Sequence, residues 1–275
     1  MKYQSFNRSC SYAGLANMLL DFNIDTEDFQ IAVDANIPYI FTFNKTSEKF
    51  LAGPMLQSKQ YFDYYLNTHE LEFKEILVSK KEVLNFLKST SQKCMIGLSI
   101  NSTQKHTLIF EGIHDCKFKF LNNKWKHSTE AEYYYFNDAE ILSKLPENSC
   151  IGYIEKLNYP VCNNSQHELN MSIEFLADYK LKVTEFCSTE QSFDNLEKAK
   201  SLLFEALFLN VLSMMEIIQA ESLVYKIKDL RQDYIKAMNL KSALILSDYI
   251  SMELFNDIIG DYTALISEYI ATNYS

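Results

Sequence analysis

Cys10 lies six residues after Gln4 and opens an apolar-periodic stretch in which Leu15, Met18, Leu19 and Phe22 share one helical face. A thiol at the start of a helix meets backbone N–H groups and the positive end of the helix dipole, and both favour the thiolate. A glutamine just upstream is placed to donate a hydrogen bond to an oxyanion formed when that sulfur attacks a carbonyl. Such a nucleophile needs a base, and the base needs an orienting partner. Of the five histidines, His106 leads the strand-like run His106–Ile113. A histidine at the mouth of a central strand can project into a cleft against a helix N-terminus. Asn122 follows sixteen residues later, at the end of the next strand, with Asn123 beside it. Neighbouring antiparallel strands bring such positions together, and an amide oxygen there accepts from one imidazole nitrogen and leaves the other facing the sulfur. Alternation puts only one of the two asparagines on the cleft side; we assign Asn122 first, with Asn123 as the alternative.

The elements that must hold these groups are an N-terminal helix and a sheet. The pattern predicts helices from Cys10 to about Phe22, from the capping run Asp25–Asp28, over Pro54–Leu66 with proline in the first turn, over Lys80–Leu87 and from Asn137. Strands are predicted over Leu71–Val78, Cys94–Ile100, His106–Ile113, Cys116–Leu121 and Cys150–Glu155, with the short His114-Asp115 link pointing to an antiparallel meander. All four prolines and five of the six glycines lie at or before Pro160. The remainder reads as helix over roughly 167–186, 193–225 and 239–272, with Met214, Met215 and neighbouring leucines as bundle core.

The chain of 275 residues is 47% apolar with a net charge of −10, so it can bury a core of one large or two smaller domains. The acidic balance argues against nucleic acid as a partner and suits a cationic substrate. No apolar run reaches the roughly 18 residues that span a membrane, and the N-terminus lacks an export signal, so the expected location is the cytoplasm. Cys10, Cys94, Cys116, Cys150, Cys162 and Cys187 contain no C-x-x-C pair, which removes zinc spacing. Apart from Cys10 they read as small apolar residues. A Gly-rich phosphate loop is missing, so amide-forming chemistry here requires a preactivated donor rather than ATP.

Taken together, Gln-x5-Cys opening a helix, a strand-leading histidine and a side-chain acceptor sixteen residues on resemble the C39-type cysteine peptidases. That resemblance implies an α+β architecture. A papain-like domain would cover 1–158, with the N-terminal helix carrying Cys10 and an antiparallel sheet carrying His106 and Asn122. An all-α helical domain would follow over 164–275. It implies Cys10 as nucleophile, His106 as base, Asn122 as orienting residue and Gln4 in the oxyanion hole, with no metal and no cofactor held by the chain. Two positions depart from the family: Ser11 stands where glycine is common, and Asn122-Asn123 where Asp-Pro is common. The attached helical part is similar to the branch of the butirosin acyltransferase and of the cysteine-protease homologues that form amides in closthioamide assembly. This implies an ATP-independent acyl or peptidyl transferase of natural-product biosynthesis. It would form an amide between a thioester, on the phosphopantetheine arm of a carrier protein, and a small cationic amine or diamine. Carrier docking would use Lys80-Lys81 or Lys117, Lys119, Lys124 and Lys126. An aromatic cleft would draw on Tyr12, Tyr39, Phe41, Phe43, Trp125 and Tyr133–Tyr135. The alternatives are a peptidase or amidase using the same residues, and an inactive binding or assembly protein with the helical domain as homodimer interface.

Overall fold

The structure is a computed structural model that describes residues 1–6, 9–100, 105–123, 131–159 and 165–274. In chain order it runs through helices α1 (Cys10–Leu19) and α2 (Asp28–Asp34), strands β1 (Phe41–Asn44) and β2 (Lys49–Ala52), helix α3 (Lys59–Leu66), strand β3 (Leu71–Ser79) and helix α4 (Lys80–Ser89). Strands β4 (Cys94–Ser99), β5 (Lys105–His114), β6 (Lys117–Asn122) and β7 (Glu132–Phe136), helix α5 (Asp138–Lys144) and strand β8 (Asn148–Lys156) follow. Helices α6 (Ser165–Ser188), α7 (Phe193–Lys198), a π-helical turn over Ser201–Val211, α8 (Leu212–Ile217), α9 (Glu221–Met238) and α10 (Met252–Asn273) complete the chain. The class is α+β, with an antiparallel sheet and a C-terminal helical region. Among the described residues no helix is long and apolar enough to cross a membrane.

Two compact units emerge, and the chain visits the second one twice. One unit comprises Met1–Ala35 and Gln57–Asn163; the other comprises Asn36–Leu56 and Asn164–Ser275. The change of composition near residue 160 does not reveal this excursion.

The first unit is built on a six-stranded sheet in the order β3-β8-β4-β5-β6-β7. Every pairing is antiparallel. β5 and β6 turn through Asp115 and Cys116, both at positive φ (49° and 61°), the backbone twist that a two-residue hairpin demands. One face of the sheet is dry. Leu98, Leu108, Phe110 and Phe120 pack there against Val83, Leu87, Ile141 and Leu145 from and beside α4 and α5. Both covering helices begin with reciprocal capping boxes, Ser79 with Glu82 and Asn137 with Glu140, which satisfy backbone donors at their ends.

The opposite face carries α1, buried from Ser11 to Leu19. Gly14 allows the approach: a Cβ there would lie 2.8 Å from both Ile109 Cδ1 and Met95 Sδ, closer than packed side chains tolerate. Pro54 does not start α3 as the sequence pattern suggested. It sits in a separate 3-10 turn over Gly53–Met55, and the helix begins at Lys59 behind Ser58.

The second unit pairs the β1–β2 hairpin with the C-terminal helices. Phe41 N–H donates to Ser172 Oγ at 2.9 Å, and the Tyr262 hydroxyl donates to Pro38 O at 2.9 Å. The rings of Phe41 and Phe50 pack on Tyr179 at 5.1 and 5.0 Å. Gly53 has φ +52°, and a Cβ there would meet Asn210 O at 2.7 Å, so only glycine suits both the turn and the contact. The long helix expected over 239–272 is shorter: Leu244–Ile245 pairs as extended backbone with Glu190–Gln191, and α10 starts at Met252, capped by Ser251.

Candidate active site

Cys10 is the first residue of α1 and is a free, half-buried cysteine. Ser9, the residue before the helix, makes no side-chain cap to it. Its hydroxyl donates instead to Asp28 Oδ2 at 2.7 Å. Asp28 is fully buried and also accepts from Ser5 N–H at 2.9 Å, from the Ser5 hydroxyl and from Phe29 N–H at 2.8 Å. Burial raises its carboxyl above the usual carboxylate range, against the opposing pull of the Ser5, Ser9 and Phe29 hydrogen bonds. One carboxylate therefore holds both ends of the segment that connects Gln4 to Cys10. The sequence showed Asp28 only as part of a helix-start run; its partners Ser5 and Ser9 come from folding the N-terminal segment against α2.

Gln4 is buried and donates from Nε2 to Asn123 O at 2.6 Å. That bond uses one of the two amide hydrogens. Asn123 is likewise buried. Its Nδ2 donates to Cys10 O at 3.1 Å, and its Oδ1 accepts from Asn17 Nδ2 at 2.9 Å. Gln4, Cys10 and Asn123 thus come together, linked by the end of β6 and the start of α1. Asn123 here acts as a clip between sheet and helix, with its side-chain oxygen already engaged by Asn17.

His106 and Asn122 do not join them. In β5 the residues alternate regularly up to Phe110, beyond which a bulge shifts the register. His106 pairs with Leu98, and Leu108 with Asn122. Leu98 and Leu108 belong to the dry core beneath α4 and α5, so His106 and Asn122 share that side of the sheet. The α1 side belongs to Thr107, Ile109 and Leu121. Asn122 donates from Nδ2 to Glu132 Oε2 at 2.6 Å, and its buried Oδ1 has no hydrogen-bond partner among the described residues. It is Asn123, rather than Asn122, that hydrogen-bonds to the Cys10 carbonyl, and the register sets His106 and Asn122 on the face opposite α1. The physical reason is the two-residue period: one step along the strand exchanges the faces.

An open cavity of about 180 Å³ reaches Ser11, the second residue of α1. Ser11 donates to Gln57 Oε1 at 2.8 Å at its edge. The walls are Phe62, Phe73 and Met95, and the floor includes Gly97 and Gly152. Among the described residues, the aromatics expected to line a cleft are distributed over separate elements. Tyr12 is wholly buried, and burial raises its hydroxyl well above the usual range. Tyr39, Phe41 and Phe43 belong to the second unit. Tyr39 stacks on Tyr269 at 3.9 Å, and Phe43 packs against Phe50 at 4.9 Å. Tyr133 and Tyr135 stand exposed on β7, and Trp125, with Lys124 and Lys126, lies outside the described residues. Of the proposed docking lysines, Lys80 and Lys119 pair with Glu147 at 3.1 Å and Glu111 at 2.9 Å. Among the described residues no group of three or more metal-ligating side chains converges.

No protein-family model and no curated protein sequence matches the chain. Among solved structures it is similar to the peptidase domain of Streptococcus ComA, a bi-functional ABC transporter involved in a quorum sensing pathway. The sequence identity is 10%, and the match covers 55% of this chain and 96% of that one with a TM-score of 0.37. So loose a superposition transfers no residue roles.

Proposed function

We propose that the protein is a cysteine-dependent acyl transferase that receives an acyl group from a thioester on Cys10 and passes it to an amine. The observation that supports this reading is a half-buried thiol at a helix start whose hydrogen-bonded surroundings among the described residues are the amides of Gln4 and Asn123, with His106 on the other face of the sheet. Peptide cleavage requires a general acid to protonate the departing amine, the role of the imidazole in cysteine and serine peptidases. A thioester needs no such acid, because its leaving group departs as a thiolate. In the first step the Cys10 sulfur attacks the donor carbonyl, a new C–S bond forms, and the donor thiolate leaves. In the second a neutral amine attacks the acyl-enzyme, the C–N bond forms, the C–S bond breaks, and the proton from nitrogen ends on the Cys10 sulfur. The N-terminal N–H groups of α1 and the second Nε2 hydrogen of Gln4 are the candidate oxyanion donors. A phosphopantetheine-bound thioester on a carrier protein is the donor this chemistry suits, and the acceptor is a small cationic amine.

The test is intact-mass spectrometry after incubation with an acyl N-acetylcysteamine thioester, with and without 1,5-diaminopentane. The expected result is acylation of the wild type, none of Cys10→Ala, and an amide product when the diamine is present. Free acid alone at every amine concentration would establish a hydrolase instead. Unchanged activity in Cys10→Ala would remove the nucleophile assignment altogether.

A further inference from the structure

Strand β3 is one edge of the six-stranded sheet. In an antiparallel ladder the N–H and C=O of one residue point to the same side, and the side switches at each step. Phe73 fixes the parity. Its N–H donates to Asp63 Oδ1 at 2.7 Å, and its carbonyl accepts from Lys59 Nζ at 2.6 Å. Both partners belong to α3, not to β8. The far end agrees: Ser79 N–H donates to Glu82 Oε2 at 2.8 Å, in the cap of α4. The odd-numbered residues of β3 therefore aim their main-chain groups off the sheet. Side chains cover that edge at Phe73 and at Ser79, as sheets commonly protect an edge. Between them the outward amides and carbonyls of Glu75 and Leu77 have no partner among the described residues. Both residues are exposed, Leu77 to 74%, and Glu75 has no ion-pair partner among the described residues.

The length of this gap selects its occupant. Glu75–Leu77 is shorter than the roughly five- or six-residue strands of ordinary sheets, and α3 and the α4 cap close it at either end. It suits a narrow extended segment rather than the edge of a second folded sheet. We propose that β3 takes such a segment of a partner protein as an added strand, with a basic residue opposite Glu75 and an apolar one opposite Leu77. Every pairing in this sheet is antiparallel, and the segment continues that pattern. Its residue opposite Ile76 turns its own N–H away and lays its side chain on the other face, beside the half-buried Ile76. The site uses no thiol chemistry and does not depend on the acyl-transferase reading.

Hydrogen exchange at single amides, followed by NMR on the full chain, tests both the parity and the occupant. In the free protein the Glu75 and Leu77 amides should exchange quickly and those of Lys74 and Ile76 slowly. The probe is acetyl-Thr-Val-Val-Lys-Thr-amide at millimolar concentration, which should slow exchange at Glu75 and Leu77. N-methylation of its lysine or its first valine, whose N–H groups meet β3, should abolish the effect. N-methylation of the middle valine should leave it. Glu75→Gln should raise the half-protecting concentration about two- to fivefold, the scale of an exposed ion pair. Leu77→Pro removes one outward N–H without touching the ladder to β8 and should weaken protection of Glu75 about fivefold, the scale of one hydrogen bond. No protection, or equal protection by all three methylated peptides, overturns the proposal. So does protection that grows with protein concentration alone, alongside a dimer mass in sedimentation, which gives the edge to a second copy of the chain. Cys10→Ala should bind the probe as the wild type does; loss of binding there would make the segment a substrate of the thiol and end the docking role.

Discussion

The two faces of the central sheet are built on different rules. Beneath α4 and α5 the face is sealed: both helices carry capping boxes, and Leu98, Leu108, Phe110 and Phe120 are almost wholly removed from solvent. On the other face α1 covers part of the sheet and has no side-chain cap. The serine before it is diverted to a buried carboxylate, and the sheet beyond it is open above Gly97. The sealed face supplies stability through apolar burial. The open face gives up some of that burial and keeps a helix N-terminus and a thiol accessible. Chemistry follows the incompletely satisfied side.

The sharpest way to break this contrast is to remove a ring from the sealed face. Phe110→Ala should cost about 3–5 kcal/mol in urea unfolding. A comparably large loss from Gly97→Ala, where a Cβ meets open space, would mean that the two faces are not different in kind. Next comes the α1 contact. Gly14→Ala forces Ile109 and Met95 aside and should cost about 1–3 kcal/mol, measured the same way.

Asp28→Asn should cost on the order of 1–2 kcal/mol at neutral pH, because its amide cannot accept from all the donors that surround the carboxylate. It should also slow alkylation of Cys10, and Asp28→Glu should restore part of the rate if the carboxylate positions the loop. The pH dependence has a definite sign. The Asp28 carboxyl is raised in the folded protein by burial, so the native state binds the proton more tightly than the unfolded chain. Its contribution is fully present below the unfolded value of about 3.9 and is lost as pH rises through the folded value. The stability gap between wild type and Asp28→Asn should therefore widen on acidification from neutral pH; a gap that narrows would contradict the burial account.

The smallest effect expected is from His106→Ala, whose Cys10 acylation rate should stay within about twofold of wild type. A loss of about 10²-fold or more, the scale of general-base removal, would bring His106 back to the thiol and restore the peptidase reading. Cysteine labelling gives a further comparison. Burial pushes the Cys94 and Cys187 thiols up to about 12, so both should resist iodoacetamide at neutral pH in the native protein while Cys116 reacts. Cys150 should react more slowly than Cys116, because partial burial and neighbouring Glu75 raise its thiol.

The helix that begins at Cys10, the link of Gln4 to the site and the α+β class could be read from residue types and spacing. The face of His106 could not. Along Leu108-Ile109-Phe110 three apolar residues in succession are buried, because both sides of the strand are covered. The alternation that normally reveals facing is erased there, and so it is at Phe120-Leu121 just ahead of Asn122-Asn123. Of the asparagine pair, only Asn123 reaches the Cys10 backbone, a choice that register and not residue type makes. Asp28 and Gln57 carried no local signal, since their partners Ser5, Ser9 and Ser11 lie on segments distant in sequence. The β1–β2 hairpin was hidden for the same reason: Phe41 and Phe50 look like ordinary strand or core residues until Tyr179 and Ser172 are folded against them.

That hairpin bears on the order in which the molecule can be completed during synthesis. Phe41 and Ser172 are 131 residues apart. At roughly 5–20 residues per second, the hairpin waits on the order of ten seconds for its helical partners, with apolar rings and unpaired strand edges in water. A chain cut near residue 158 would wait indefinitely. Truncation to the sheet-bearing part alone should therefore yield an aggregating product, whereas deleting residues 36–56 and joining Ala35 to Gln57 in the same truncation removes the stranded segment and is the version to express.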